Sequence, residues 1–390
     1  MPSALYPPIL QTTPSDGGPP AFDAAMRLAL DLSAAATALS DPNPRVGCVI
    51  CTPDGQTIGA GHTQSAGGPH AEIMALREAA LKGHGVVGAT AYVTLEPCSH
   101  HGRTGPCCDA LIAAGIRKVV ASLTDPNPLV AGQGFERLRA AGVEVEIGPG
   151  AEEARELNIG FFSRMIRKTP WVRLKVAASL DGKTALTDGT SQWITSEAAR
   201  ADGHAWRARA GAVLTGVGTV LEDDPRLDVR LAETRRQPPL VVVDSQLQTP
   251  PAARIFEPAR PVWIYAAAPD AAAQAALEAR GATVRFLPNP HGKVDLAAVL
   301  RDLAAREVNE LHVEAGHKLN GSLLREGLVD ELLLYLAPKL IGEGLGIANQ
   351  PHAAGALTRL DQALALEFKS FEPLGPDLRI VARIAGRDRF

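Results

Sequence analysis

Apolar positions along this chain switch repeatedly between a spacing of two and a spacing of three to four, which predicts alternating strands and helices. A helix is expected over 22–39, stopped by Asp41-Pro42-Asn43-Pro44, and strands over 46–51 and 57–62 joined by Pro53-Asp54-Gly55 read as a hairpin. Helices over 70–82, 107–114 and 134–141 then alternate with strands over 91–95, 118–123 and 143–147. Such a run predicts a first α/β domain layered helix, sheet, helix. A helical pattern over 152–167 ends at Thr169-Pro170, and a second cycle begins. Its strands are expected over 171–178, 212–215, 240–243, 262–266, 310–314, 331–337, 364–371 and 378–384, with helices over 196–209, 271–280 and 295–306. The expected organisation is a mobile Pro-, Gly-, Ser- and Thr-rich tail (1–20), a first domain (21–148), a linker helix (149–169) and a second α/β domain (170–390).

Length supports that division, because 390 residues exceed one ordinary core. A chain that is 46% hydrophobic and 21% charged is globular in composition, and no run of about 18 apolar residues predicts a membrane span. The N-terminus shows no basic stretch followed by an apolar one, so a cytoplasmic protein is expected. A net charge of −4 argues against a nucleic acid as standing partner, since phosphate contacts demand a basic face. Five cysteines, an odd number in a chain with no export signal, suit metal ligands or core positions better than disulfides. Cys48 and Cys51 lie three apart on a strand, pointing to opposite faces, and are expected to pack only.

The densest chemistry lies between His70-Ala71-Glu72 and Glu96-Pro97-Cys98-Ser99-His100-His101-Gly102-Arg103-Thr104-Gly105-Pro106-Cys107. One imidazole and two thiolates make a three-ligand zinc site with a position left for water, whose pKa the metal lowers to about 7. Glu72, two residues past His70, is placed to take the water's proton and pass it on. This is the logic of the zinc deaminases, whose signature is H-x-E followed by P-C-x-x-C, but here eight residues, Ser99 to Pro106, separate the cysteines. Two of the ligands fall at helix starts, where backbone N–H groups and the helix dipole favour thiolate. His100 and His101 compete as metal or substrate residues, and either one on the metal would mark a structural zinc. His62 is expected to face the ligand helix from a strand end. Asp125-Pro126-Asn127-Pro128 follows a strand, where ligand contacts gather in α/β sheets, although such residues also simply form turns. In the second domain, glycines of Leu214–Val220 and Val313–Gly321 suit dinucleotide contacts or plain tight turns, and neither stretch completes G-x-G-x-x-G.

The long loop from Pro97 to Cys108 resembles the deaminase half of the bifunctional riboflavin-biosynthesis deaminase/reductases, whose Thr-Pro-Pro-Cys stands here as Thr104-Gly105-Pro106-Cys107. The reductase half is similar at Ala177-Ala178-Ser179-Leu180-Asp181-Gly182-Lys183-Thr184, Ser191-Gln192-Trp193-Ile194-Thr195, Asp223-Asp224-Pro225 and Val313-Glu314-Ala315-Gly316. The resemblance implies a cytidine-deaminase-like three-layer domain followed by a dihydrofolate-reductase-like α/β domain that uses NADPH. It selects His70, Cys98 and Cys107 over Cys108 as zinc ligands and Glu72 as the proton shuttle. Asn43 looks like the pyrimidine-binding asparagine, with His62, Asp125 and Asn127 as further substrate residues. Ala177, Trp193, Thr219, Asp223, Ser245, Glu314 and Gly316 match cofactor positions. Ser191, Arg207, Leu227 and Arg230 match positions around a phosphoribosyl substrate, with Lys175 close to the sugar. Arginines suit a phosphate through bidentate bonds, but none can be assigned to the NADPH 2'-phosphate. The implied partner is a small phosphoribosylaminopyrimidine, with neither nucleic acid nor membrane, and a homo-oligomer is expected with the C-terminal strands as interface. A nucleoside or tRNA deaminase with a silent nucleotide-binding second domain is the competing reading.

Overall fold

The computed structural model describes residues 24–100, 105–128, 130–349 and 356–390. The expected tail and His101 lie outside them. In the first domain, β1 (Gly47–Cys51), β2 (Thr57–His62), β3 (Thr90–Val93), β4 (Lys118–Ala121) and β5 (Glu144–Ile147) form one sheet in the order β2-β1-β3-β4-β5. β1 is antiparallel to both neighbours, whereas β3, β4 and β5 run parallel. Helices α1 (Ala24–Ala35), α2 (Ala71–Leu81), α3 (Cys107–Ala113) and α4 (Gln133–Ala140) cover it. Every residue of β1 is buried, so both faces are covered. A Cβ on Gly47 would overlap the backbone of α1 at Ala29, and one on Gly61 would overlap α2 at Met74 and Ala75. Gly61 sits opposite Cys48, the neighbour of Gly47, so alternation puts α1 and α2 on opposite faces and makes three layers.

The single helix expected over 152–167 is two helices, α5 (Ala151–Leu157) and α6 (Ile159–Arg167). Asn158 breaks it because its amide acts as a backbone surrogate for Arg45, accepting from Arg45 N at 2.7 Å and donating to Arg45 O at 2.8 Å. Periodicity alone ran across the break, since apolar spacing continues through it.

The second domain contains β6 (Trp171–Ser179), β7 (Lys183–Ala185), α7 (Glu197–Arg209), β8 (Ala212–Gly216), α8 (Val217–Asp223), β9 (Leu240–Val243), β10 (Val262–Ala266), α9 (Ala271–Glu278), β11 (Ala282–Phe286), α10 (Leu296–Ala305), β12 (Glu310–Val313), α11 (His317–Arg325), β13 (Glu331–Ala337), β14 (Leu345–Gly346), β15 (Leu366–Leu374) and β16 (Asp377–Ile384). Nine strands make one sheet, β11-β10-β9-β8-β12-β6-β13-β16-β15, parallel up to β13 and antiparallel thereafter. Ser196, Asp270 and Asp295 cap α7, α9 and α10 with side-chain oxygens, as short polar residues at helix starts do. β7, α8, β11 and β14 were not among the expected elements; β7 and β14, at three and two residues, are too short to show a repeat.

Ion pairs join the halves. Arg45 reaches Glu310 at 2.7 Å with both side chains nearly fully buried, and Glu310 also holds Arg173 at 2.8 Å and Arg209 at 3.1 Å. Burial opposes the charge on Glu310, but the three guanidinium groups hold its pKa well below the ordinary range. Arg383 likewise spans from β16 to Glu156 of α5 at 2.8 Å.

Candidate active sites

The first site gathers where α2, α3 and the loop after β3 meet. His70 is the N-cap of α2, Cys107 the first residue of α3, and Cys98 follows β3. The His70 Nδ1 atom lies 3.6 Å from Cys98 Sγ and 3.4 Å from Cys107 Sγ. Tetrahedral zinc, with bonds of about 2.3 Å to sulfur and about 2.0 Å to nitrogen, needs a sulfur–nitrogen separation of about 3.6 Å, so these donors fit that ion. Hydrogen bonding with Cys107 pulls the Cys98 thiol down to about 4 against its burial, while the same bond and burial push Cys107 up. Among the described residues His100 is not part of this cluster, which consists of His70, Cys98 and Cys107.

Glu72 is buried on the first turn of α2, and burial followed by the neighbouring Cys98 raises its carboxyl to about 7. A cavity of about 290 Å³ opens on these groups, walled by Asn43, Asp125, Asn127 and His100 among others. Asp125 accepts the Asn127 N–H at 2.8 Å, and burial raises its pKa to about 7. The expectation that His62 faces the ligand helix is not met. Gly59 and Gly61 meet α2, so alternation along β2 turns His62 to the other face, where Nδ1 approaches Thr63 O at 3.1 Å; Thr63 is the residue that lines the cavity.

One residue that sequence reasoning passed over organises this wall of the cavity. The buried Glu96 carboxylate accepts backbone N–H groups from Asp125 (3.1 Å), Gly132 (2.9 Å) and Gly134 (2.8 Å), tying the loop that carries Asp125 and Asn127 to the cysteine loop. Its only sequence signal was its place immediately before Pro97-Cys98. Arg164, Met165 and Glu307 also line this cavity and were not expected there.

The second site lies at the carboxyl ends of the parallel strands, where open α/β sheets bind ligands. Ala177 and Lys175 share a face near the end of β6, Thr219 stands on α8 after β8, Ser245 follows β9, and Glu314 and Gly316 follow β12. Gly316 faces Thr219, whose Oγ1 would lie 3.8 Å from a Cβ at that position. Gly216 and Gly316 cap α8 and α11 without side-chain bonds, so no capping side chain takes the first N–H groups of either helix. Ser245 Oγ accepts from Val294 N at 3.2 Å, Asp223 closes α8, and Trp193 is 61% exposed under the Arg200 guanidinium.

Glu314 is the electrostatic centre. Arg207 binds it through two bonds of 2.7 and 2.9 Å, and Lys175 approaches at 3.6 Å. Burial works against its charge, yet Arg207 and Lys175 hold the carboxyl well below the ordinary range. The guanidinium fork expected to meet a substrate phosphate is therefore engaged by Glu314 and the Asp228 carbonyl. Arg230, paired with Asp228 at 2.6 Å, is the more exposed of the two arginines, and Ser191 is half-buried. The Leu227 side chain is buried in the apolar core, leaving only its main chain to face a ligand, and its carbonyl accepts from Arg260.

Sequence comparison matches the cytidine and deoxycytidylate deaminase zinc-binding region to residues 21–123 and the RibD C-terminal domain to residues 170–380. The riboflavin biosynthesis protein RibD of Escherichia coli (strain K12) is 46% identical over 368 residues, covering 90% of this chain and 96% of that protein. Among solved structures, Acinetobacter baumannii RibD superposes with a TM-score of 0.83 at 39% identity, covering 93% of this chain and 98% of the other. A Thermotoga maritima diaminohydroxyphosphoribosylaminopyrimidine deaminase/5-amino-6-(5-phosphoribosylamino)uracil reductase gives 0.80 at 33% identity, with 93% and 98% covered. With a cytidine-deaminase-like first domain, a reductase second domain and relatives matched over nearly their whole length, the chain belongs to the RibD family of bifunctional riboflavin-biosynthesis enzymes.

Proposed function

We propose that the domain spanning 21–148 deaminates 2,5-diamino-6-(5-phosphoribosylamino)pyrimidin-4-one and that the domain spanning 170–390, joined through 149–169, then reduces the ribosyl group to give 5-amino-6-(5-phosphoribitylamino)uracil. The observation that carries the reading is the His70, Cys98 and Cys107 donor cluster, which meets, through His70 and Cys98, a cavity that also holds the buried Glu72 and whose wall carries Asn43, Asp125 and Asn127. Zinc held by those three donors supplies Lewis-acid activation of a water molecule. Asn43, Asp125 and Asn127 orient the pyrimidine by hydrogen bonds. The Glu72 carboxylate removes a proton from the attacking water and returns it to the departing amine, so that C–NH2 and water become C=O and ammonia. His62 belongs to this site by resemblance alone.

NADPH bound in the second domain would supply a hydride, which together with one proton would convert the opened ribose to a ribityl chain. Ala177, Trp193, Thr219, Asp223, Ser245 and Gly316 would border the cofactor. Lys175 approaches the sugar from β6, with Glu314 setting its charge. Arg207 holds Glu314 in place, and Arg230 offers the phosphate contact, with Ser191 and Leu227 beside it. We also infer self-association of a cytoplasmic enzyme through β15, whose edge carries Phe368 and Phe371 side by side, 60% and 55% exposed.

Glu72→Gln tests the division of labour. It should abolish ammonia release while leaving NADPH oxidation on pre-deaminated substrate intact, and parallel loss of both activities would contradict separate sites.

A further inference from the structure

The deaminase sheet does not close its own cavity. Phe161, Arg164 and Met165 of α6, and Glu307 in the turn between α10 and β12, form part of the wall. Asp41-Pro42-Asn43-Pro44-Arg45 runs beside Arg164, and Pro42, Asn43 and Pro44 line the same cavity. Within this stretch the Asn43 N–H closes a turn on Ser40 O at 2.9 Å, and Arg45 O accepts from Ser33 of α1 at 2.9 Å. The residues just before Asn43 are held from elsewhere. Pro42 O accepts two donors, an Arg164 terminal nitrogen at 3.0 Å and Asn309 Nδ2 at 3.1 Å. Asn309 Nδ2 also reaches Asp41 Oδ1 at 3.1 Å, and its Oδ1 accepts from Arg164 Nε at 2.6 Å. Arg236 adds a 3.3 Å contact to the other Asp41 oxygen. Asn309 is 4% exposed, immediately before β12, so water cannot replace its bonds.

We propose that Asn309, a residue of the reductase domain, is a positioning residue of the deaminase reaction. Together with Arg164 it fixes the Pro42 carbonyl and thereby the place of the Asn43 side chain relative to Glu72 and His70. Pyrimidine affinity at the first site thus depends on how the two domains dock. The proposal rests on the reading of Asn43 as a pyrimidine contact. An asparagine that binds the ring in ground and transition states alike changes KM and spares kcat when displaced.

The test uses full-length, zinc-loaded Asn309→Ala, Arg164→Met and the double variant. Asn309→Ala should raise the deaminase KM about tenfold, the effect of one lost hydrogen bond, with kcat nearly unchanged. Zinc content and NADPH oxidation on deaminated substrate should stay at wild-type values. The double variant should be little worse than the poorer single one, because both changes release the same carbonyl. A wild-type KM in Asn309→Ala, additive effects, or a parallel fall in reduction would overturn the proposal. Should the alanine variant not fold, Asn309→Asp keeps the acceptor for Arg164 and loses the bond to Pro42. A raised KM with retained kcat then supports the proposal, and a wild-type KM overturns it. Asn43→Ala is measured alongside: a wild-type KM there sinks the reading of Asn43 itself, whereas a raised KM there with none in Asn309→Ala sinks only the positioning role.

Discussion

Asp125 shows how one side chain can carry a property that its neighbours in sequence do not reveal. Burial lifts its carboxyl to about 7, so between about pH 4 and that value the folded protein keeps a proton that the unfolded chain has released. The group therefore favours folding fully at the acid end, and its contribution is lost as the pH rises through about 7. Asp125→Asn should flatten this decline in thermal midpoints recorded at pH 5, 6 and 7, and an unchanged slope would show that the proton is not held there. The position of Asp125 after a strand was legible in Asp-Pro-Asn-Pro, but its burial was not, because that depends on Glu96 drawing the following loop inward. Arg207 makes the same point in reverse. A guanidinium on a helix suits a phosphate, yet here its fork is taken by a carboxylate 107 residues away.

At the scale of elements, the zinc ligands depend on how closely α2 approaches the sheet. Gly59 and Gly61 leave room on β2 for the α2 backbone, and α2 starts at His70 and carries Glu72. Gly61→Ala would drive a methyl into Met74 and Ala75 and push that helix outward. We expect a loss of about 1–3 kcal/mol in stability, as for overpacked cores, and weaker zinc retention in competition with a chelator, with reduction spared; full zinc affinity would show that the helix tolerates the shift. Most elements were readable from periodicity because a half-buried strand or helix needs its repeat. The break at Asn158 was not, since a polar side chain replacing a backbone partner leaves the apolar spacing untouched. On β12 alternation is visible, but the burial of Glu310 on that strand is compensated by Arg45, Arg173 and Arg209 from other elements, and Glu314 just after it is held by Arg207.

For the whole molecule, the exposed edge of the nine-stranded sheet is the surface proposed for self-association. Phe368 and Phe371 pack with ring centroids 4.7 Å apart on β15, exposed at that edge. Replacing both with lysine should shift the mass in sedimentation velocity toward the 41.0 kDa of one chain, and an unaltered mass would place any interface elsewhere. The first site was largely determined by sequence alone: His70, Glu72, Cys98 and Cys107 sit in two short stretches, and metal chemistry accepts few residue types at such spacing. What only the tertiary structure decided is the choice of partners for buried charge and for exposed backbone. Arg45 finds Glu310 across 265 residues and Arg164 finds Asn309 across 145. A buried ion or carbonyl must be satisfied by whatever group the fold brings near, and that nearness is set by the packing of two sheets, which no local pattern encodes.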